Sequence, residues 1–139
     1  MRVLAATIAI LAAGCGSFAA EPEPDPEPPG SPDRANVVLY VSNQSFERPT
    51  VDIRVEVDGR VVVDDEFPVE SQHNWVEFRL ELPGGVHTLR AETQAGDATT
   101  TGTFRVEGRR WAVLDYWCCD DASDPKFTFE VSKRRIAFA

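Results

Sequence analysis

Apolar and polar residues alternate along most of the chain after Ala35. The stretch from Thr50 to Val57 reads TVDIRVEV, with an aliphatic residue at every second position from Val51 and charged residues between. A repeat of two residues is typical of a β-strand with one buried face, because successive side chains point to opposite sides. Asn74 to Leu82 and Lys126 to Ser132 repeat the pattern. These three segments are therefore predicted strands, and their predicted inward residues are Val51, Ile53, Val55, Val57, Val76, Phe78, Leu80, Leu82, Phe127, Phe129 and Val131.

Weaker alternation predicts five further strands. They run over Asn36–Ser42, Arg60–Phe67, Val86–Thr93, Ala98–Val106 and Arg109–Cys118. Turn residues separate several of them, at Asp58-Gly59, Pro83-Gly84-Gly85 and Glu107-Gly108. About eight short strands in roughly 100 residues predict an all-β fold, and the spacing of the turns favours a single antiparallel β-sandwich.

The turn at Asp58-Gly59 allows two registers for the hairpin around it. A three-residue loop pairs Glu56 with Arg60 and brings Val61 and Val63 to the core face, whereas a two-residue turn leaves these valines on the polar face. A slip of one residue inverts every side chain of a strand, so the hydrophobic pattern favours the three-residue loop.

A segment across a second turn, Leu82 to Ala91, reads LPGGVHTLRA. It resembles the L-P-x-G-x-H-T-L-x-A hairpin of small bacterial immunoglobulin-like surface domains. The resemblance implies an immunoglobulin-like sandwich of about seven or eight strands, and it carries no activity. It also implies that His87 packs beside the turn. The alternation with Leu89 and Ala91 likewise puts His87 on the core face.

The chain begins with an apolar segment that is too short to cross a bilayer. Val3 to Ala13 is apolar except for Thr7 and follows one positive charge at Arg2. A membrane-spanning helix needs about 20 apolar residues, so this shorter run fits the apolar region of a secretory signal peptide. The signal ends in LAAGC, from Leu11 to Cys15, which resembles the lipobox of bacterial lipoproteins.

The lipobox resemblance implies that the chain is cut after residue 14 and that the Cys15 thiol receives a diacylglycerol. The protein would then be extracytoplasmic and lipid-anchored to a bacterial membrane, at the cell surface or in the periplasm. Lipoboxes usually carry leucine three residues before the cysteine, where this chain has Ala12 and has Leu11 one residue earlier. An ordinary signal peptide with an incidental Cys15 is the alternative.

Residues 15–34 predict a tether between the lipid and the sandwich. Five prolines stand among the nine residues from Glu21 to Pro29, alternating with carboxylates. Proline interrupts helices and sheet ladders, and like charges repel, so we expect a disordered, extended linker in polyproline II conformation. At ~3.1 Å per residue the part from Phe18 to Arg34 reaches roughly 50 Å. The predicted organisation is a signal peptide over 1–14, a lipidated cysteine and tether over 15–34, and a sandwich domain over 35–139.

Composition restricts the function classes. A net charge of −9 argues against a nucleic-acid partner, which needs a basic patch to neutralise phosphates. The chain has two histidines, His73 and His87, and neither a Gly-x-Ser-x-Gly nucleophile motif nor a phosphate-binding glycine loop. We therefore predict no catalytic residues, no cofactor and no resident metal.

Cys118 and Cys119 are adjacent, in the stretch WCCDD. Thiols outside the cytoplasm tend to be oxidised, and Cys15 is expected to carry lipid, so a vicinal disulfide is the first interpretation. Three others stay open, in descending order: a pair of free thiols, a link to another chain, and a zinc site shared with His73 or His87.

The predicted strand Arg109–Cys118 is apolar on both faces. One face carries Trp111, Val113 and Trp117, and the other carries Ala112, Leu114 and Tyr116. A strand of this kind is usually central in a sheet or covered by a loop, and core packing is the favoured interpretation. The alternative is a ligand surface built from Trp111, Tyr116 and Trp117, because aromatic residues are enriched at binding hot spots.

These observations predict a membrane-anchored extracytoplasmic lipoprotein without enzymatic activity. Its sandwich would be a binding module for a protein or glycan of the cell envelope. The rival hypotheses are a small redox or metal-binding protein centred on Cys118 and Cys119, and a purely structural stand-off domain.

Overall fold

A computed structural model describes residues 34–70, 74–119 and 124–138. The strands in these ranges are β1 Val37–Asn43, β2 Thr50–Val57, β3 Arg60–Pro68, β4 Val76–Leu80, β5 Gly85–Thr93, β6 Thr99–Val106, β7 Arg110–Trp117 and β8 Lys126–Ser132. All eight predicted strands are therefore present. The largest difference is in β4, which is shorter at both ends than the predicted Asn74 to Leu82. The predicted signal peptide, Cys15 and most of the tether lie outside the described residues.

The strands form two four-stranded sheets, ordered β4-β1-β7-β8 and β3-β2-β5-β6. The inward faces of both sheets meet in one hydrophobic core. Its largest fully buried side chains are Tyr116, Phe67, Leu39, Ile53, Leu89 and Leu114. The all-β sandwich is therefore confirmed.

Two features of the topology depart from the prediction. β1 pairs with β7 in parallel, so the sandwich is not antiparallel throughout. In constant-type immunoglobulin domains the second and third strands lie in different sheets, whereas here β2 and β3 are neighbours in one sheet. The reason is local, because the short connection at Asp58-Gly59 makes β2 and β3 an antiparallel hairpin.

The register predicted for that hairpin is wrong at the turn. Asp58 and Gly59 both have positive φ, 52° and 78°, and Val57 pairs with Arg60 across a two-residue turn. Turns of this kind match the right-handed twist of the flanking strands, and glycine adopts the second position without steric cost. The local turn chemistry outweighs the hydrophobic pattern at this point, and Val61 stays 45% exposed.

A β-bulge then restores the pattern further along β3. The register shifts between Val55 and Glu56, so that Val63 faces Val55 and is 3% exposed. The extra residue in β3 is Val62, which packs partly against the core. The bulge thus moves one valine of the predicted pair into the core and leaves the other outside.

Two of the predicted inward residues remain partly in solvent. Val76 pairs with the buried Val41, and Val131 pairs with the buried Ala112, so both side chains are on the inward face. Both are nevertheless 37% exposed. Each lies near one end of an edge strand, β4 or β8, where the opposite sheet covers less of the face.

Tyr116 carries an unpaired polar atom inside the core. Its side chain is fully buried, and the hydroxyl has no hydrogen-bond partner among the described residues. Burial also raises the pKa of this phenol. An unpaired buried hydroxyl costs about 1–3 kcal/mol.

Because of that cost, Tyr116→Phe should leave the free energy of unfolding unchanged or raise it by up to about 1 kcal/mol. Urea unfolding followed by circular dichroism measures the change. Tyr40→Phe serves as the matched control, since Tyr40 lies on the outer face of the same sheet. A loss of stability in Tyr116→Phe alone would show that the hydroxyl is paired.

His87 is a hydrogen-bonded core residue, as predicted. It is 6% exposed, and its ring lies 5.7 Å from that of Phe104. Nδ1 is 2.6 Å from a carboxylate oxygen of Asp58, and Nε2 is 2.8 Å from the carbonyl oxygen of Pro83. Both partners are acceptors, so both ring nitrogens donate only when the imidazole is protonated. These hydrogen bonds raise the pKa of His87, and the bond from His87 lowers the pKa of Asp58.

The pair makes stability depend on pH in two directions. The contribution of His87 is complete below its unfolded pKa near 6.5 and is lost as pH rises through the raised folded pKa. The contribution of Asp58 is complete above 3.8 and is lost as pH falls through the lowered folded pKa. From pH 6 to pH 9 the free energy of unfolding should fall by about 1 kcal/mol, since Asp58 is half-exposed and water screens the pair.

Urea unfolding at several pH values tests this expectation. The dependence should disappear in His87→Gln and persist in His73→Gln, which removes the other histidine. Equal stability of the unmodified protein at pH 6 and pH 9 would contradict the raised pKa.

Candidate functional site

The outer face of the β4-β1-β7-β8 sheet carries an unusual mixture of side chains. In β7 the residues that point away from the core include Val113, Asp115 and Trp117, because they alternate with fully buried neighbours. Across the β7–β8 ladder they face Glu130, Thr128 and Lys126 respectively. Two adjacent strands thus present apolar, aromatic and charged groups on one surface.

This surface is the base of a groove with a volume of about 890 Å³. The β4 side and the chain after β8 supply the rest of its lining. The lining residues are Trp75, Val113, Asp115, Trp117, Cys118, Lys126, Thr128, Glu130, Val131, Ser132, Ile136 and Phe138. Ligand sites usually have volumes of about 300–1,000 Å³, with apolar walls and a few positioned polar groups. The groove has the size and the chemistry of such a site.

The C-terminal segment builds one part of the groove. β8 ends at Ser132, and the chain then crosses the outer face of its own sheet. The ring of Phe138 stacks on Trp75, with centroids 4.1 Å apart, and meets Tyr40 edge-on at 5.0 Å. Tyr40 is consequently only 8% exposed although it faces outward. Aromatic pairs in these arrangements add to the stabilisation given by burial alone.

Asp115 is the most constrained polar group of the groove. Its Oδ1 accepts hydrogen bonds from Ser42 Oγ at 2.6 Å and from Trp75 Nε1 at 3.0 Å. Burial raises the pKa of Asp115, the two hydrogen bonds oppose that rise, and the like charge of Glu130 adds to it. Both donors reach the same oxygen, so the carboxylate is held in one orientation and keeps acceptor capacity for a ligand.

The structure places the three predicted surface aromatics in three different environments. Trp117 lines the groove, and its Nε1 donates to Thr128 Oγ1 at 3.3 Å. Trp111 lines a neighbouring pocket of about 180 Å³ instead. Tyr116 lies in the core, on the opposite face from Trp117, because successive residues of a strand point to opposite sides. Trp117 therefore lies at the groove, and the alternative of one ligand surface shared by all three aromatics fails at Tyr116, whose burial fits the favoured interpretation of core packing.

Trp75, Asp115 and Phe138 belong to the site but were not among the predicted site residues. They lie far apart in sequence, and the sheet order β4-β1-β7 brings the first two together. The available signal was the position of Asp115 as the single charge among the apolar residues of the strand from Trp111 to Trp117. A charged residue in an otherwise apolar central strand needs hydrogen-bond partners, and here it has them.

Cys118 and Cys119 form a vicinal disulfide, with Cα atoms 3.7 Å apart. This is the first of the four interpretations that the sequence left open. Cys118 is 1% exposed, and its carbonyl accepts a hydrogen bond from Ser45 Oγ at 2.8 Å. Cys119 is half-buried and has a φ of 70°, in the left-handed region, where the chain leaves β7. Cys118 belongs to the core and also contributes to the lining of the groove.

The described residues hold no group of three or more His, Cys, Asp or Glu side chains placed to bind a metal ion. His73, one partner named in the zinc hypothesis, lies outside the described residues. His87 is engaged with Asp58 and Pro83 at the end of the sandwich away from the disulfide.

In the part of the chain that the structure describes, no helix has the length and apolar character needed to span a bilayer.

Comparison with known proteins assigns this chain to no group. No protein-family model matches it, and no curated protein matches it either.

Proposed function

We propose that this chain is a lipid-anchored extracytoplasmic protein of a bacterial envelope and that its sandwich is a non-enzymatic binding module. The groove on the β4-β1-β7-β8 sheet is its binding surface. The observation that carries the proposal is the combination found there: a volume of about 890 Å³, aromatic walls, and a carboxylate fixed by two donors. A purely structural spacer has no need of such a site.

The direction of the strands supports this arrangement. The chain before Arg34, which includes the proposed tether, joins the sandwich next to the starts of β1 and β7, where Asn36 bonds to Leu80 and Arg110. β7 runs parallel to β1, so Trp117 and the disulfide lie at the far end, about 20 Å away at the usual rise of a strand. The groove extends from this far end toward Ser132, which pairs with Trp111 near the start of β7, so one end of the groove faces away from the tether.

The groups in the groove favour binding over catalysis. Its titratable side chains are Asp115, Glu130 and Lys126, and its one cysteine is held in the disulfide. Among the described residues, no histidine lines it; His73 lies outside them. Nucleophilic catalysis needs an activated nucleophile with a base in hydrogen-bond reach, and the described lining offers no such pair.

A redox protein centred on Cys118 and Cys119 is the second candidate, because the structure does form their disulfide. Exchange with a thiol would have to start at Cys119, since Cys118 is buried. The double variant Cys118→Ala with Cys119→Ala separates the candidates. A redox protein would lose its activity, a binding module would keep its fold with weaker ligand binding, and a spacer would change little.

The anchor is tested by the intact mass of the protein extracted from its own membranes. We expect a chain that starts at Cys15 and carries acyl groups, with two more hydrogens after reduction of the Cys118–Cys119 bond. Cys15→Ser should release the protein into the soluble fraction. A membrane-extracted chain without acyl groups at Cys15 would contradict the anchor.

The groove is tested with a photo-crosslinking residue in place of Thr128 in living cells. Thr103 provides the matched control, because it is exposed on the outer face of the opposite sheet. Adducts from position 128 and none from position 103 are expected. Equal labelling from both positions, or none from 128, would reject the groove as the binding surface.

A further inference from the structure

The groove has a local excess of negative charge. Asp115 faces Thr128 across the β7–β8 ladder, and Glu130 is two residues further along β8 on the same face. Diagonal neighbours of this kind lie about 7 Å apart, within reach of one bound group. In the described part of the chain neither carboxylate takes part in an ion pair. The negative charge of Glu130 is one cause of the raised pKa of Asp115, so the two groups are coupled.

The surroundings of these carboxylates suit a cation with an apolar stem. Trp117 lies beside Asp115 on the same face of β7, and Trp75 donates its indole N–H to that carboxylate. A cation near an indole ring is attracted by the ring quadrupole as well as by the carboxylates. Val113 and Ile136 add aliphatic surface to the lining. Lysine and arginine side chains combine such a stem with a cationic head.

The size and position of the groove favour a polypeptide over a free amine. A volume of about 890 Å³ exceeds what one side chain fills, so a single small amine would leave most of it empty. β8 is the edge of its sheet, and an edge strand presents main-chain N–H and C=O groups without a partner strand. Extended peptides use such edges for main-chain hydrogen bonds, while pockets beside the edge select their side chains.

We propose that the groove binds an extended segment of a partner protein through a lysine or arginine side chain. The cationic head would lie between Asp115 and Glu130, with its stem against Val113 and Ile136. This inference rests on the proposed function, because it names the ligand class of the same groove.

Substitutions of Lys126 and of Glu130 should change the affinity for a cationic ligand in opposite directions, which tests the proposal. Lys126 faces Trp117 on β8, so it is the other diagonal neighbour of Asp115. The positive charge of Lys126 repels a cation in the groove, whereas the carboxylate of Glu130 attracts that cation. Lys126→Met should therefore strengthen binding of a cationic peptide and Glu130→Gln should weaken it, each about two- to fivefold as expected for partly exposed charges.

The probe is the blocked peptide acetyl-Ala-Ala-Lys-Ala-Ala-amide, compared with the same peptide carrying norleucine, which keeps the stem and lacks the charge. Binding is followed by NMR on the full chain with Cys15→Ser, through the indole N–H signals of the three tryptophans. Trp75 and Trp117 line the groove, and Trp111 lines the neighbouring pocket, so Trp111 is an internal control. We expect the lysine peptide to shift the first two signals and leave the third unchanged.

The variants complete the design. Glu77→Gln is the matched control for Glu130→Gln, because Glu77 is on the same outer face but pairs with Arg79 outside the groove. It should leave the affinity unchanged. Higher salt should weaken the lysine peptide and not the norleucine peptide.

Three results would overturn the inference. Equal binding of the lysine and norleucine peptides, or no shift with either, would show that the groove does not select a cation on a peptide. n-Butylammonium that binds as tightly as the lysine peptide would show that the partner is a free amine. In all three cases the crosslinking from position 128 still decides whether the groove is the binding surface, so the two failures are distinguishable.

Discussion

Replacing Asn43 with alanine should lower the free energy of unfolding by about 3 kcal/mol, because three main-chain groups lose their partner together. Asn43 is 1% exposed at the end of β1. Its Nδ2 donates to the carbonyl oxygens of Arg48 at 2.7 Å and Phe67 at 3.2 Å. Its Oδ1 accepts from the backbone N–H of Ser45 at 3.0 Å. One side chain thus fixes the loop between β1 and β2 and attaches it to β3 of the opposite sheet.

Urea unfolding of Asn43→Ala measures the loss. Asn74→Ala is the matched control, because the side chain of Asn74 makes one exposed hydrogen bond, to Glu70 at 3.4 Å. It should change stability by less than about 0.5 kcal/mol. Asn43→Asp keeps the acceptor and removes both donors, so we expect it to be at least as damaging as alanine. A loss below about 0.5 kcal/mol in Asn43→Ala would mean that water replaces all three bonds.

Gly102→Val should destabilise the protein by about 3 kcal/mol through overpacking between the two sheets. A Cβ atom at Gly102, on β6, would lie 2.7 Å from Cδ1 and 3.0 Å from Cε1 of Phe129, on β8. Glycine in a strand normally costs roughly 0.5–1 kcal/mol relative to alanine, so a substitution in open space would be stabilising. The clash with the Phe129 ring, which is held between the sheets, costs more than that gain, so the substitution should lower the stability of the protein.

A double variant makes this prediction specific to the contact. Phe129→Leu frees space next to Gly102, so Gly102→Ala should cost less in its presence than alone, with a coupling of about 1 kcal/mol. Thr103→Val is the control on the outward face of the same strand and should be close to neutral. If Gly102→Ala is stabilising by itself, the close approach of β6 and β8 is incorrect.

The alternation of residues was sufficient to predict the strands and the two-sheet sandwich. The period of two survives wherever one face is buried, and it marks Thr50 to Val57 and Lys126 to Ser132 with the bounds that the structure gives. The hairpin at Asp58 shows its limit. There the turn residues select the register, and the bulge at Val62 then realigns the pattern. Hydrophobic periodicity predicts which face of the sheet a residue occupies, but it does not predict where a β-bulge inserts an extra residue.

Strand order and the site needed information that local patterns do not carry. The parallel pairing of β1 with β7 joins segments that are 73 residues apart, as in the bond between Ser42 and Asp115. For the strand of Trp117 core packing was the favoured interpretation and a ligand surface the alternative, because this strand is apolar on both faces. Phe138 could not be assigned to the same groove from its neighbours in sequence, since only the path of the chain after β8 brings it to Trp75.

The parallel pair of β1 and β7 should also form late in folding, because it joins strands that lie far apart in sequence. β2 and β3, and likewise β5 and β6, are hairpins that form from neighbouring chain, whereas β1 stays without its β7 partner until residues Arg110–Trp117 have been synthesised. Closing so long a loop costs chain entropy before any stabilising contact forms. Folding of β-rich domains is therefore slow, on the order of milliseconds to seconds. During synthesis from the N-terminus β1 emerges before β7, so its aliphatic side chains lack that partner until β7 follows. Formation of β7, from Arg110 to Trp117, should therefore end the period in which β1 is exposed to aggregation.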